Sequence, residues 1–265
     1  METHAHFLVN SRISPYATSV WEVNNEEVVT ETILPQGAIE IVFNLADGMS
    51  GTKAGTSKRI QPARCFVQGI STQTLAVSYR GRQNLFGIRL KPHMVKSLLN
   101  VLPSELKDEV VDLSLINSDL NNVWDQLVEA VDFEARVKIV EDRLPVLAAH
   151  DCPRTRRLSD LFLSDDIESL RSMDMLADEV CYSSRHLNRK AQSMFGLTAE
   201  ELIAYKKFLY AIDLMHGEDL TMTDIAYKSG FYDQAHFCRT FKSFASLTPR
   251  QYKSRKSAVP FHLFS

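Results

Sequence analysis

The spacing of apolar residues changes once along this chain, and the change divides it in two. Up to about residue 95 the apolar residues come in short β-rich runs. Glu27–Ile33, Ile39–Leu45, Phe66–Ile70, Thr74–Tyr79 and Leu85–Leu90 read as strands, the second with the character of a buried one. Pro35-Gln-Gly37, Asp47-Gly48, Gly51, Gly55, Pro62 and Gly81 supply the turns between them. Strands this short predict a sandwich or a small barrel. After Pro92 the period becomes helical. His93–Leu99, Asn121–Ala130 and Phe133–Leu144 are amphipathic, and Phe133, Val137, Val140 and Leu144 share one face of the last. That face is either a dimer seam or packs on the strands, and Pro145 is placed to kink its helix. Asp151–Thr155 reads as a linker. From Arg156 the chain is helical almost to its end. Thr198-x-x-Glu201 and Thr221-x-x-Asp224 each open a helix, and Gly217 is expected to close the long one between them at positive φ.

Within this second half one segment occurs twice in degenerate form. Leu176-Ala-Asp-Glu-Val-Cys-Tyr-Ser-Ser-Arg-His-Leu187 is followed by Ile225-Ala-Tyr-Lys-Ser-Gly-Phe-Tyr-Asp-Gln-Ala-His-Phe237. Ala177 pairs with Ala226, Cys181 with Gly230, Leu187 with Phe237 and Arg189 with Arg239. The offset changes by one residue inside the turn, so each copy reads as a helix-turn-helix. The alanines let the two helices cross closely, and Gly230 suits a turn at positive φ. Phe231, Phe237, Phe241 and Phe244 follow helical spacing and are expected to form the core of the second unit. Two such units on one connecting helix suit two successive major grooves.

Residues 156 to 253 resemble the AraC/XylS family of bacterial transcription regulators. The resemblance is strongest in Asp224–Lys242, followed by Leu247-Thr-Pro-Arg-Gln-Tyr252. The first copy keeps Ser184, Arg185, Leu187, Arg189 and Gly196. It departs at Ala191, where an aromatic is usual, and at Ala199-Glu200, where Pro-Lys is usual; Ser246 replaces a usual Gly in the second copy. The resemblance places base contacts at Arg185, Asn188 and Arg189 and at Gln234, Ala235, Cys238 and Arg239. Arg suits guanine O6/N7, and Asn and Gln suit adenine N6/N7. Arg189 and Arg239 could equally make internal salt bridges. Lys190, Lys242 and Arg250 are expected to be phosphate or solvent contacts. Glu201–Ala211 resembles the family's connecting helix, with Lys207 at a usual Arg position.

Leu34–Leu45 and Gly87–Pro92 resemble a β-rich companion of such units whose role is uncharacterised. By analogy with the wider family, this half is expected to be a β-barrel or cupin-like sensor domain with flanking helices. The expected organisation is therefore α+β: a β-rich effector-binding or dimerisation domain over 1–150, helical from about 93, and an all-α double helix-turn-helix domain over 156–256. Glu40, Asn44, Gln68, Tyr79 and Arg89 are candidates to line an effector pocket. Glu40 lies inside an apolar strand and needs a partner, which Arg89 could supply; an internal ion pair is the plainer reading.

Charge alters this picture little. The net charge is −3, yet from Ser183 onward twelve basic residues face seven acidic ones. Cys65, Cys152, Cys181 and Cys238 are scattered and read as reduced thiols of a cytosolic protein. His4 and His6 fall at a terminus expected to be frayed, so no metal site is expected. No phosphate loop, nucleophile elbow or cofactor motif occurs. The expected partners are double-stranded DNA, a small-molecule effector, a second copy in a homodimer and, for an activator, RNA polymerase; no membrane is among them. Two other readings remain: a protein-interaction module with weakened DNA recognition, and an alkyl-transfer enzyme using Cys65.

Overall fold

The computed structural model describes residues 2–7, 11–27, 29–53, 59–147, 153–164, 166–167, 170, 172–217 and 219–264. The N-terminal half holds β1 (Glu2–Phe7), β2 (Ala17–Asn25), β3 (Thr30–Ile33), β4 (Ile39–Asn44), β5 (Met49–Lys53), β6 (Arg59–Ile60), β7 (Cys65–Gln68), β8 (Leu75–Tyr79), β9 (Gln83–Leu90) and β10 (Val110–Asp112). Among the described residues this half also holds the α-helices α1 (Val95–Leu99), α2 (Ser118–Asn121), α3 (Val123–Glu129) and α4 (Phe133–Leu147).

Two sheets form, in the orders β1-β2-β9-β4-β7-β10 and β11-β3-β8-β5-β6, where β11 is a C-terminal strand, His262–Phe264. They do not close into a barrel. The neighbouring pairs are antiparallel and short, and each sheet keeps two edges. Central β4 is buried along its whole length because both of its faces are covered, so its sequence runs apolar without alternation. Trp21 on β2 lies directly across from Gly87 on β9, and a Cβ at Gly87 would collide with the indole ring. Glycine there lets the aromatic lie flat on the sheet.

Several expectations change. His4 and His6 are not in a frayed end; they lie in β1, opposite Glu22 and Val20. The Glu27–Ile33 run contributes only Thr30–Ile33, and the Asn121–Ala130 helix breaks around Asn122. The proposed dimer seam is used internally. Val137, Val140 and Leu144 are buried in the chain's own core, and the Phe133 ring sits 6.1 Å from that of Phe86. Arg136 of α4 donates to Glu22 of β2 at 2.6 Å and to the Leu127 carbonyl, which fixes this face on the six-stranded sheet. Of the expected linker, Asp151 and Cys152 lie outside the described residues.

The second half is helical: α5 (Pro153–Leu163), α6 (Met173–Glu179), α7 (Ser184–Phe195), α8 (Ala199–Gly217), α9 (Met222–Lys228), α10 (Gln234–Ala245) and α11 (Pro249–Arg255). The expected capping boxes at Thr198/Glu201 and Thr221/Asp224 are both made. Gly217 ends α8 as expected but without positive φ. The carbonyl of Met215 in its last turn is taken instead by the Lys256 ammonium, which replaces a left-handed cap. No described helix is long and apolar enough to cross a membrane.

The two halves are in direct contact. Tyr205 of α8 is fully buried; its hydroxyl donates to the Ser71 carbonyl at 2.6 Å and accepts from the Gly37 N–H at 2.9 Å. Gly37 has φ +68°, and Leu209 and Phe162 close over it. A residue with a Cβ would be strained there and would also meet those side chains.

Candidate nucleic-acid interface

The two repeats fold into two matching units. α6 and α7 form the first and α9 and α10 the second, with α8 between them. In the first turn Tyr182 N–H donates to the Ala177 carbonyl at 2.9 Å, and in the second Phe231 N–H donates to that of Ala226 at 3.0 Å. Cys181 and Gly230 occupy the same step and both have positive φ, +55° and +74°. The second helix of each unit starts on an equivalent cap: Ser183 accepts from His186 N–H, and Asp233 from His236 N–H. Ala177 and Ala226 are buried where the helices meet.

Burial fixes which face of each second helix looks outward. On α7, Leu187, Ala191, Met194 and Phe195 point inward; on α10, Phe237, Phe241 and Ala245 do. Phe231 is buried with them, and Phe244 is half-buried against Tyr205 and Phe208, so the aromatic core expected of the second unit forms. The opposite faces carry Arg185, Asn188 and Arg189 in the first unit and Gln234, Ala235 and Arg239 in the second, all exposed; Cys238 and Lys190 are half-buried, and Lys242 and Arg250 are exposed. Among the described residues Arg185, Arg189, Arg239, Lys190, Lys242 and Arg250 make no ion pair or side-chain hydrogen bond with the protein. The internal salt bridges open to Arg189 and Arg239 are therefore not formed. Asn188 differs: its side-chain oxygen accepts from the Ala199 N–H at 2.8 Å and so caps α8.

Part of the basic surplus is spent inside the fold. Lys206 and Lys207 are buried, with their ammonium groups 5.9 Å from the Phe162 ring and 6.0 Å from the Phe231 ring. Lys253 pairs with Asp219 at 3.4 Å.

The side chains of four effector candidates are held by hydrogen bonds within the sheet half. Glu40 accepts from Arg89 Nε at 3.0 Å and from Trp21 Nε1 at 3.1 Å, so its carboxylate is paired internally. Asn44 is elsewhere: its side chain closes the turn after β4, accepting from Ala46 N–H and donating to the Asp47 carbonyl. Tyr79, on the other sheet, donates to Glu31 at 2.7 Å; burial first, and then the Glu31 charge, raise its pKa far above the usual phenol value. Gln68 sits opposite Glu40 on the neighbouring strand, half-buried. An open groove of about 850 Å³ lies elsewhere, lined by polar and apolar residues alike, among them Asp119, Val123, Gln126, Lys138, Ile139 and Arg143, and by none of these candidates. Cys65 is buried, and desolvation pushes its thiol up to about 12, which disfavours the nucleophilic thiolate at neutral pH.

Sequence reasoning missed Glu31, Gln36 and His262. Arg89 donates to Gln36 at 3.1 Å, the Gln36 amide meets His262 Nε2 at 2.9 Å, and His262 Nδ1 meets Glu31 at 2.7 Å. A polar chain thus runs from Trp21 to Tyr79 through the C-terminal strand. No local signal announces it, because its members come from six separate stretches of sequence.

A family model described as a helix-turn-helix domain matches residues 176–255, and one described as a domain of unknown function (DUF6597) matches residues 6–112. The probable transcription factor PqrA of Proteus vulgaris is 30% identical over 92 residues, 35% of this chain and 75% of that protein. An uncharacterized HTH-type transcriptional regulator of Staphylococcus aureus is 28% identical over 158 residues, 53% of this chain; the match spans only 21% of that longer protein. An apo variant of ToxT from Vibrio cholerae superposes with a TM-score of 0.50 at 17% identity, covering 89% of this chain and 96% of that one, which is a likeness of fold. The paired turns, the outward arginines and these matches together establish that the chain belongs to the AraC/XylS family of transcription regulators.

Proposed function

We propose that this protein is a sequence-specific DNA-binding transcription regulator in which α7 and α10 enter successive major grooves. The observation that carries this reading is the repeated geometry: two matching turns, each presenting an exposed helix face whose arginines have no partner within the described protein. Arg185, Arg189, Gln234 and Arg239 are assigned to base edges, with Ala235 and Cys238 at groove contact. Lys190, Lys242 and Arg250 are assigned to phosphates. Asn188 holds the start of α8 and contributes through that. DNA reading places the protein in the cytoplasm.

The regulatory input is assigned to residues 1–150 and the reading of DNA to 156–256. Gly37 and Ser71 hold Tyr205 of the connecting helix, so a small molecule that shifts the turn at 35–37 shifts the readers as well. Glu40 and Arg89, paired next to that turn, are the assigned effector contacts. Such a ligand changes DNA affinity only by its own differential affinity for the two arrangements.

Selection of bound duplexes from a random library at two salt concentrations tests the reading. An enriched asymmetric site spanning two major grooves is expected. Absence of binding even at low salt, where phosphate contacts dominate, would favour a protein-interaction module. On the selected site, Arg185→Ala and Gln234→Ala should each cost on the order of 1–3 kcal/mol. A loss below about 0.5 kcal/mol, the size of an ordinary surface change, removes either residue from its role.

A further inference from the structure

The C-terminal strand crosses from the DNA-reading half back to the sheet half. β11 pairs antiparallel with β3, with Leu263 opposite Thr32 and Phe264 opposite Glu31. Leu263 is buried, and the Leu34 N–H donates to the Phe261 carbonyl at 2.8 Å. The other end of the segment is anchored on the second unit and on α8. Tyr252 of α11 accepts from the Phe261 N–H at 3.2 Å and meets His216 of α8 at 2.9 Å. Phe261 itself has φ +67°, a conformation that a bulky L-residue adopts only when its surroundings impose it.

The polar chain beneath β11 fixes how it docks. Arg89 donates to the Gln36 side-chain oxygen, so the amide NH₂ faces His262 Nε2. His262 Nε2 then accepts, and Nδ1–H donates to Glu31. Both ring nitrogens are used in this slot.

We propose that β11 is a releasable strap that pre-organises the DNA reader by pinning the second helix-turn-helix unit to the N-terminal sheet. The recognition faces of α7 and α10 stay exposed with the strap docked, so docking does not block DNA. Its effect is to limit rocking of the second unit about the end of α8. A stiff connection between two binding modules raises the effective concentration of the second at its half-site and penalises wrong spacing. Glu31, Gln36 and His262 are positioning residues, and the strained backbone at Phe261 favours release. The affinity consequence rests on the DNA-reading assignment; the mechanical coupling does not.

Amide exchange and DNA titration of the full chain and four variants test this. Deletion of residues 257–265 and Leu263→Asp should each speed exchange in β3 and also in α9 and α11. Both should weaken the selected two-groove site roughly tenfold. They should also narrow its advantage over a site lengthened by a single base pair. His262→Gln, whose amide can still donate to Glu31 and accept from Gln36, should retain most of the effect. Phe261→Gly, which relieves the strain, should slow exchange in β3. The strap is overturned if deletion leaves α9 and α11 exchange unchanged, or if it loosens them while affinity and spacing preference stay as in the full chain. Should the full chain bind no DNA, the DNA-reading assignment fails, and exchange in α9 and α11 alone decides whether the strap couples the halves.

Discussion

The two helix-turn-helix units share a backbone and carry their strain at opposite ends. Each has one positive φ between its helices and one that closes its second helix. In the first unit Cys181 holds the turn at +55° and Gly196 closes α7 at +70°; in the second Gly230 holds the turn at +74° and Ser246 closes α10 at +57°. Each unit therefore has glycine at one of its two left-handed positions. The units also differ in what fills the space behind the second helix. Phe241 of α10 is ringed by Phe208, Phe237 and Tyr252 at 5.1–5.8 Å. Its counterpart is Ala191. There α7 lies against the 3-10 turn Pro103–Leu106 of the N-terminal half, and Phe195 packs on Phe162 of α5 at 4.8 Å. The second unit builds an aromatic core of its own on α8, whereas the first borrows part of its support from the rest of the chain.

The sharpest way to break this contrast is Phe241→Ala. It should cost about 3–5 kcal/mol, the usual penalty for emptying a buried aromatic site. Residue-resolved amide exchange should show α9–α11 opening first; uniform loosening of both units would mean that they form one core. Next comes Tyr205→Phe, which leaves the buried Gly37 N–H without its acceptor. A loss of about 1–3 kcal/mol in denaturant unfolding is expected, and no loss would mean the interdomain hydroxyl is idle.

Smaller effects of opposite sign should follow from the strained positions. A left-handed L-residue costs about 1–2 kcal/mol, and glycine forfeits about 0.5–1 kcal/mol through its extra freedom when unfolded. Cys181→Gly and Ser246→Gly should thus each stabilise by about 0.5–1 kcal/mol. Gly230→Ala and Gly196→Ala should each destabilise, and at Gly196 the new Cβ would also press on Lys107. Thermal unfolding of the four variants decides the signs.

The weakest expected effect is on pH dependence. Burial, and secondarily the Lys256 ammonium, hold His216 below its ordinary value of 6.5. The folded state thus disfavours the protonated form. The associated stability is present above the unfolded value and declines as pH falls from there through the lower folded value. His216→Gln should flatten that part of a stability–pH curve; an unchanged slope would show that His216 does not contribute.

Much of the helical half was legible because its signals are local. Capping pairs three residues apart, alanines at helix crossings and a 3.6-residue apolar period act within a turn or two of chain. The outward placement of Arg185, Arg189, Gln234 and Arg239 follows from that period. Asn188 lies on the same face, yet its oxygen serves Ala199, eleven residues on and past the end of its own helix. The sheet half was less legible. Glu40 and Arg89 were recognised as partners, and their register opposite one another on β4 and β9 makes them so. Nothing in the sequence marked Asn44 as a turn-closing residue, yet its strand-end side chain bonds the nearby backbone at Ala46 and Asp47.

By itself the sequence determined the two periodicities, the repeat, the helix starts and the faces of α7 and α10, since these depend on neighbours within reach of a few residues. Tertiary structure decided which apolar faces were already taken and which distant polar groups met. It buried the Phe133–Leu144 stripe against the sheet, where a dimer contact had been an alternative. It also brought three residues at the C-terminal end onto the edge of β3, far from them in sequence. Burial and strand pairing depend on surfaces that only the folded chain assembles, and a three-residue strand carries too little periodicity to announce its partner.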